Sequence, residues 1–310
     1  MGLFRWSDQE TWGAVMQTKK APSVIVTNQF APVFRNAELV DLTHTLDEAY
    51  PGTGAWLPPF RHVVYNWFEP RPDDPQPLLS RSYTQVSQDG RTTKGTYYSC
   101  WLTIFEHTGT HFDAPTHAIP PPGSGLPHAN EWGAVYGEMV PLHKFQGPLA
   151  VVDARPLRKG PQRNGISPLV TLEYFKDWER RHGEFQPGDI MGLLTGWDEF
   201  YVPYPQGNAF LMDPFQGRAP GWPAPTEEAV IYLHDKGVET LVSDVPSLGA
   251  CDDVQSVHYA TLGRGMVLIE CLTNLDKLPP RGAYFIFLPP KIARSSGCFG
   301  RAMAWVPLES

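Results

Sequence analysis

Three histidines and an aspartate fall within eleven residues in the stretch HTGTHFDAPTH, as His107, His111, Asp113 and His117. His107 and His111 are four apart, a spacing that on a helix would share one face. The Thr-Gly-Thr between them and Pro115 beyond them make poor helix sequence. Read as extended or bulged chain, positions 107, 109, 111 and 113 point the same way. That turns His107, His111 and Asp113 toward one point, with Gly109 leaving room for an ion between the imidazoles. His117 lies past the proline and approaches from a different angle. Two imidazoles and a carboxylate suit a divalent transition ion such as Zn, Mn, Fe or Co. The lack of cysteine in the cluster argues against a structural Cys-rich zinc site. A catalytic ion keeps a position open, lowers the pKa of water and polarises a carbonyl. A histidine beside such an ion but not bound to it can act as general base and acid. The plainer alternative is a surface loop that captures metal without doing chemistry.

The elements around the cluster must hold it in place. TYYSCWLTIF, 96–105, is rich in aromatic and β-branched residues and reads as a buried strand leading into the histidines. ELVDLTH (38–44) and PLAVVDARP (148–156) read as strands, as do GDIMGLLTGW (188–197), ETLVSD, GMVLIE, GAYFIFLPP and CFGRAMAWV. SPLVTLEYFKDWERRHG, 167–183, reads as a helix capped by Ser167, with Pro168 in its first turn and Gly183 at its end. TEEAVIYLHDKG, 226–237, reads as a second helix capped by Thr226. Residues 69–77 hold four prolines and must be loop. Residues 201–225 form a long irregular segment of the kind that lines a site or covers a neighbour. No period of 20 to 50 residues appears. The expected result is one α/β domain with a mixed sheet over 38–310, preceded by an arm over 1–37.

At 310 residues the chain can bury a large core without disulfide or metal support. Its formal net charge of -8 and lack of basic clusters set nucleic acid aside as a partner. No run of about 18 apolar residues occurs, so no membrane span is expected. The first residues, MGLFRWSDQETW, do not read as a signal peptide. Cys100, Cys251, Cys271 and Cys298 are far apart and form no CxxC pair, which fits free thiols in a reducing cytoplasm.

The cluster also fits a known pattern. His107-Thr-Gly-Thr-His-Phe-Asp-Ala-Pro-Thr-His117 resembles the H-x-G-T-H-x-D-x-P-x-H signature of the metal-dependent cyclase-like hydrolase family, with all seven fixed positions present. The resemblance extends through Asp41-Leu-Thr-His44, Tyr50-Pro-Gly52, Thr195-Gly-Trp197 and Val242-Ser-Asp-Val-Pro-Ser247. His258, Glu270, Asn274-Leu-Asp276 and Pro290-Lys-Ile292 continue it, so it covers roughly residues 38 to 307. It implies a swivelling β/β/α fold, a homodimer or homotetramer, and one or two divalent ions per subunit, zinc or manganese. It further implies that His107, His111 and Asp113 hold a first ion, that Asp113 can bridge to a second, and that His258 and Glu270 complete the set. His117 would be the acid/base residue. Tyr50 sits where members of the family place a substrate-contacting aromatic.

Without the resemblance, His258 reads as a lone helical histidine, and Glu270 as an acid ending an apolar strand that wants a partner or a metal. The other histidines have no clustered partners; among them His44 could line a pocket. Asp252 and Asp253 read as caps or solvated acids, and Asp244 as a partner that orients a histidine. Trp56, Phe60, Trp197 and Phe299 are candidate pocket aromatics, with core packing an equal explanation. The leading expectation is hydrolysis of a C–N bond in an amide or lactam small molecule. No GxSxG elbow is present, which argues against a serine hydrolase. A metal-dependent cyclase or dehydratase would use the same ligand set, with the segments 54–94 and 198–225 deciding between them. A non-enzymatic metal-binding or scaffold protein is the third reading, but it would not need a spare histidine at 117.

Overall fold

The computed structural model describes residues 34–51, 60–67, 93–94 and 99–308. The segment 1–33, most of 54–94 and Trp56 lie outside the described residues, and with them most of the expected arm and of the first pocket segment.

The centre is four parallel strands: β6 (Gln146–Asp153), β8 (Ile190–Leu194), β10 (Thr240–Ser243) and β11 (Val267–Glu270). Antiparallel strands extend this sheet on both sides. On one side are β12 (Ala283–Leu288), β14 (Arg301–Pro307) and β1 (Ala37–Asp41). On the other are β5 (His111–Asp113) and β13 (Gly297–Phe299). The order is β1-β14-β12-β6-β8-β10-β11-β5-β13. Among the described residues, β2 (Arg61–Trp67), β3 (Thr93–Lys94) and β4 (Ser99–Thr103) form a small second sheet, and β7 (Leu169–Val170) pairs with β9 (Ala224–Pro225).

The parallel strands are apolar throughout because both faces are covered. Successive residues serve opposite cores, as a two-residue side-chain period requires. Leu149 and Val151 of β6, and Val267 and Ile269 of β11, pack with Phe112, Phe285 and Phe287. Ala150, Val152 and Leu268 face the helices instead. These are α1 (Leu172–His182), α2 (Glu227–Asp235) and α3 (Val254–Leu262), which supply Phe175, Trp178, Leu233 and Val257. On the first face the sheet curls onto itself. Phe112 of β5 meets Phe287 of β12 with ring centroids 6.1 Å apart, and an isolated bridge ties Thr43 to Leu272.

Several expected boundaries shift. Helix α1 begins after Thr171 rather than Ser167, because Leu169 and Val170 pair with β9, while Ser167 Oγ accepts from Cys251 N. Thr226 does cap α2, accepting from Ala229 N. Gly300 divides the last strand into β13 and β14. Strand β4 ends at Thr103 rather than Phe105 and is not buried: Trp101 and Leu102 are 62% and 55% exposed, while residues 96–98 of the expected strand lie outside the described residues. Cys251, Cys271 and Cys298 are buried free thiols, and Cys100 is half-buried.

Candidate metal centre

The histidine segment is extended only over His111–Asp113. There Glu270 pairs opposite His111, and Leu268 opposite Asp113, on antiparallel β11. Alternation sends His111 and Asp113 to one face and Phe112 into the core. Residues 107–110 turn instead, with Gly109 at φ 63°. The space that Gly109 leaves is taken by Leu46 rather than by an ion: a Cβ there would stand 2.4 Å from Leu46 Cδ2. The turn brings His107 back beside Asp113, with Nδ1 2.6 Å from Oδ1. Gly297 makes room for the His107 ring, since a Cβ at 297 would lie 2.6 Å from His107 Cε1. His117 ends a 3-10 turn over Pro115–His117, and His258 comes from the middle of α3.

These elements bring together all six residues singled out for metal and acid/base chemistry. They line a pocket of about 300 Å³ at the C-terminal end of β11, walled by Phe105, Pro246, Ser247 and Val254. That is where an open sheet of parallel strands usually places its ligand. Donor atoms fall into two groups that share Asp113. One is His107, Asp113 and His117; the other is His111, Asp113 and Glu270; within each, the donors lie within 4.8 Å of one another. His258 Nε2 adds to the second, 3.5 Å from Asp113 Oδ2 and 3.8 Å from Glu270 Oε1.

Outer hydrogen bonds aim the rings. His111 Nδ1 donates to Gly109 O at 2.7 Å, and His258 Nδ1 donates to Val254 O at 2.8 Å. A carbonyl can only accept, so in both rings Nε2 is left to face the carboxylates. Glu270 Oε1 accepts from Leu248 N at 2.7 Å. Asp113 Oδ2 is buried and has no hydrogen-bond partner. A carboxylate oxygen left bare inside a protein is costly unless a cation meets it. The carboxylate's position beside the Nε2 atoms of His111 and His258, which can bind an ion once they release a proton, fits a divalent ion with mixed N and O ligands.

The charges are strongly coupled. Burial opposes the ionised Asp113, but the charges of His117 and His107 and hydrogen bonds from His107 and His111 hold it well below the usual carboxylate range. Burial, and then the Asp113 charge, push Glu270 up to about 7 against the pull of His258 and His111. Burial also works against protonated His258, yet Asp113 and Glu270 raise it to about 9. His111 is likewise raised, against burial, chiefly by its hydrogen bond to Asp113. His117 differs. It is the exposed member of the set and lines the pocket, yet desolvation by surrounding protein lowers it to about 4; Asp113 opposes this, and repulsion from His107, His258 and His111 adds to it. Its ring lies 4.0 Å from His107 and 6.0 Å from His258, centroid to centroid.

Other candidates are placed elsewhere. Trp197 is buried under Arg158 and donates to Phe210 O at 2.8 Å. Tyr50 stacks on Tyr201, which in turn stacks on His44. None of these, nor Phe60 or Phe299, is among the described residues that line the pocket. Asp244 orients no histidine: its carboxylate accepts from Thr195 N, Thr195 Oγ1 and Gly196 N, tying the end of β8 to the loop that follows β10. Burial pushes it up to about 7 despite those bonds. Asp253 caps α3, and Asp252 accepts from Ser167 N. Sequence reasoning missed Phe105, a pocket wall, and Glu106, whose partner is Ser296. An aromatic and an acid directly before the first histidine were the available signal.

The chain matches known proteins over most of its length. The model of the Cyclase family, described as "Putative cyclase", matches residues 40–250. An isatin hydrolase of Roseibium aggregatum is 30% identical over 214 residues, 67% of this chain and 74% of that protein. A kynurenine formamidase of Salinibacter ruber is 25% identical over 269 residues, 86% of this chain and 96% of that protein. Among solved structures, isatin hydrolase A from Ralstonia solanacearum superposes with a TM-score of 0.66 at 27% identity, covering 93% of this chain and 99% of that one. The mixed α/β fold implied by the histidine signature is therefore borne out. No helix among the described residues is long and apolar enough to cross a membrane. With its signature histidines gathered in one pocket and the family model matching more than half of its residues, the chain belongs to the Cyclase family.

Proposed function

We propose that this protein is a divalent-metal-dependent hydrolase that opens a C–N bond of a small amide or lactam, with His117 as general base and acid. The observation that carries it is Asp113: a buried carboxylate, shared by two donor groups, with one oxygen lacking any hydrogen-bond partner. The relatives named above are hydrolases of this kind of bond, which supports the reaction class. His107, His111, Asp113, His258 and Glu270 would hold zinc or manganese, one ion or two, with His117 beside them as the free imidazole. When bound, the ion supplies Lewis acidity and an acidified water.

The protein's own residues do the rest. His117 stands at the open side of the pocket, where a neutral imidazole can take a proton from the attacking water and return it to the leaving nitrogen. Phe105, Pro246 and Val254 give the substrate an apolar wall and exclude bulk water. The pocket's about 300 Å³ suits a substrate of one or two rings. No side-chain nucleophile is needed, so no covalent intermediate with the protein forms.

The test is to incubate metal-supplemented protein with a panel of amides and lactams, isatin and N-formylkynurenine included, and weigh the products. Gain of one water per product supports hydrolysis. Ring closure or loss of water from an open-chain carbonyl substrate would instead favour a cyclase or dehydratase.

A further inference from the structure

Of the imidazoles around Asp113, His107, His111 and His258 are each held through the ring nitrogen turned away from it, and two of these are set by backbone carbonyls, whose direction is fixed. His107 is set differently. Its Nε2 lies 2.9 Å from Ser296 Oγ, a group that can donate or accept. What decides the direction is Glu106. Ser296 Oγ is in short contact with Glu106 Oε1, and Ser296 N donates to both Glu106 oxygens at 3.2 Å. A carboxylate only accepts, so the single hydroxyl proton of Ser296 points at Glu106. Ser296 Oγ is then left as an acceptor, and His107 Nε2 must carry the proton. Nδ1 faces Asp113 Oδ1 at 2.6 Å, where a shared proton joins the pair in the metal-free chain and a metal ion would take that proton's place.

We infer that Glu106 and Ser296 are positioning residues: together they fix His107 in the Nε2–H tautomer and so present Nδ1 as a metal ligand. The inference rests on the metal-dependent reading above. The parts differ in exposure as such a relay requires. His107 is 4% exposed, while Glu106 is 32% exposed and reaches the pair from the half-open side. Gly297 follows Ser296 directly and gives the ring its space, so one short segment, Ser296-Gly297, both admits His107 and orients it. Glu106 and His107 are adjacent in sequence, while Ser296 comes from the chain just before β13, so the relay also pins the histidine turn to the edge of the sheet.

The test uses Glu106→Gln, Ser296→Ala and Ser296→Thr in the full chain, each first checked for wild-type thermal unfolding. Zinc affinity is measured by competition with a chromophoric chelator, and the protonated nitrogen of His107 is read by ¹⁵N NMR of the zinc-loaded protein. Gln keeps the size of Glu106 and an acceptor for Ser296 N, but its amide can donate to Ser296 Oγ and free that hydroxyl to donate to His107. Glu106→Gln should therefore weaken zinc binding by roughly 10- to 100-fold, the range typical of outer partners of a ligand. Ser296→Ala should weaken it too, and Ser296→Thr, which keeps the hydroxyl, should restore it. Wild-type His107 should carry its proton on Nε2. Affinity within about twofold of wild type in both Glu106→Gln and Ser296→Ala, or a proton on Nδ1 in the wild type, would overturn the relay and leave the metal site standing. A wild-type protein that binds no zinc or manganese would overturn both.

Discussion

His258 and His44 are both largely enclosed by protein, and they behave oppositely. Around His258 stand Asp113 and Glu270, and the imidazole is raised to about 9. Around His44 stand Tyr201, stacked at 3.9 Å, and Phe210, edge-on at 6.5 Å; its Nε2 has no partner, and burial lowers it to about 4. Burial alone drives an imidazole neutral. Two carboxylates reverse that, and they also make the first pocket a place for a cation. The aromatic cluster has no acid to offer and is a core. The two regions touch at Gly109, whose carbonyl accepts from His111 while Leu46 and Tyr201 pack against its other side.

The comparison is broken most severely by removing its anion. Asp113→Ala should abolish metal binding and lower kcat/KM by more than the roughly 100-fold that outer-partner losses reach. Retention of normal activity would show that Asp113 is not the shared ligand. Next comes His117→Ala, which should keep the metal, measured by elemental analysis, while kcat falls by about 10²- to 10⁴-fold. Loss of the metal together with kcat would make His117 a ligand rather than the base.

The aromatic side is sharpened by pH. His44 is depressed from 6.5 to about 4 in the fold, so the unfolded chain takes up its proton first as pH falls. The stability this contributes is complete above pH 6.5 and is lost progressively toward pH 4. The total is about 3 kcal/mol at 1.36 kcal/mol per unit. Denaturation midpoints of His44→Phe, which keeps the stack on Tyr201, should fall less over that window than those of the wild type. Equal slopes would mean that His44 is protonated in the fold. The smallest effect is expected where the regions meet. Gly109→Ala should cost about 1–2 kcal/mol for its left-handed backbone, read by urea denaturation, with Leu46 moving aside. Unchanged stability would show that the turn is relaxed.

Much of the site was legible because its members are close in sequence. His107, His111, Asp113 and His117 announced themselves by type and spacing. The strands carrying the sheet were legible from apolar runs, because parallel strands covered on both faces need them. His258 and Glu270 were found only through the family signature, since nothing local separates a ligand histidine on a helix from a packed one. His44 and His258 illustrate this: in sequence each is a single histidine, and only the carboxylates that the fold delivers tell them apart. The direction of the 107–110 turn was missed because Gly109 allows both an extended chain and the left-handed turn. Trp197 and Tyr50 were attractive as pocket aromatics because aromatic side chains serve cores and sites alike. The start of α1 was misplaced because Ser167 and Pro168 form a good start signal, which the pairing of β7 with β9 overrides.

The most direct test of the central claim is the metal content of the purified protein, measured by elemental analysis after supplementation with zinc or manganese and removal of excess ion. The account predicts one or two tightly held equivalents per chain, with two meaning that Asp113 is shared between two ions. A wild-type protein that retains no divalent metal would contradict it, and the cluster at 107–117 would then be a packing arrangement like the one around His44.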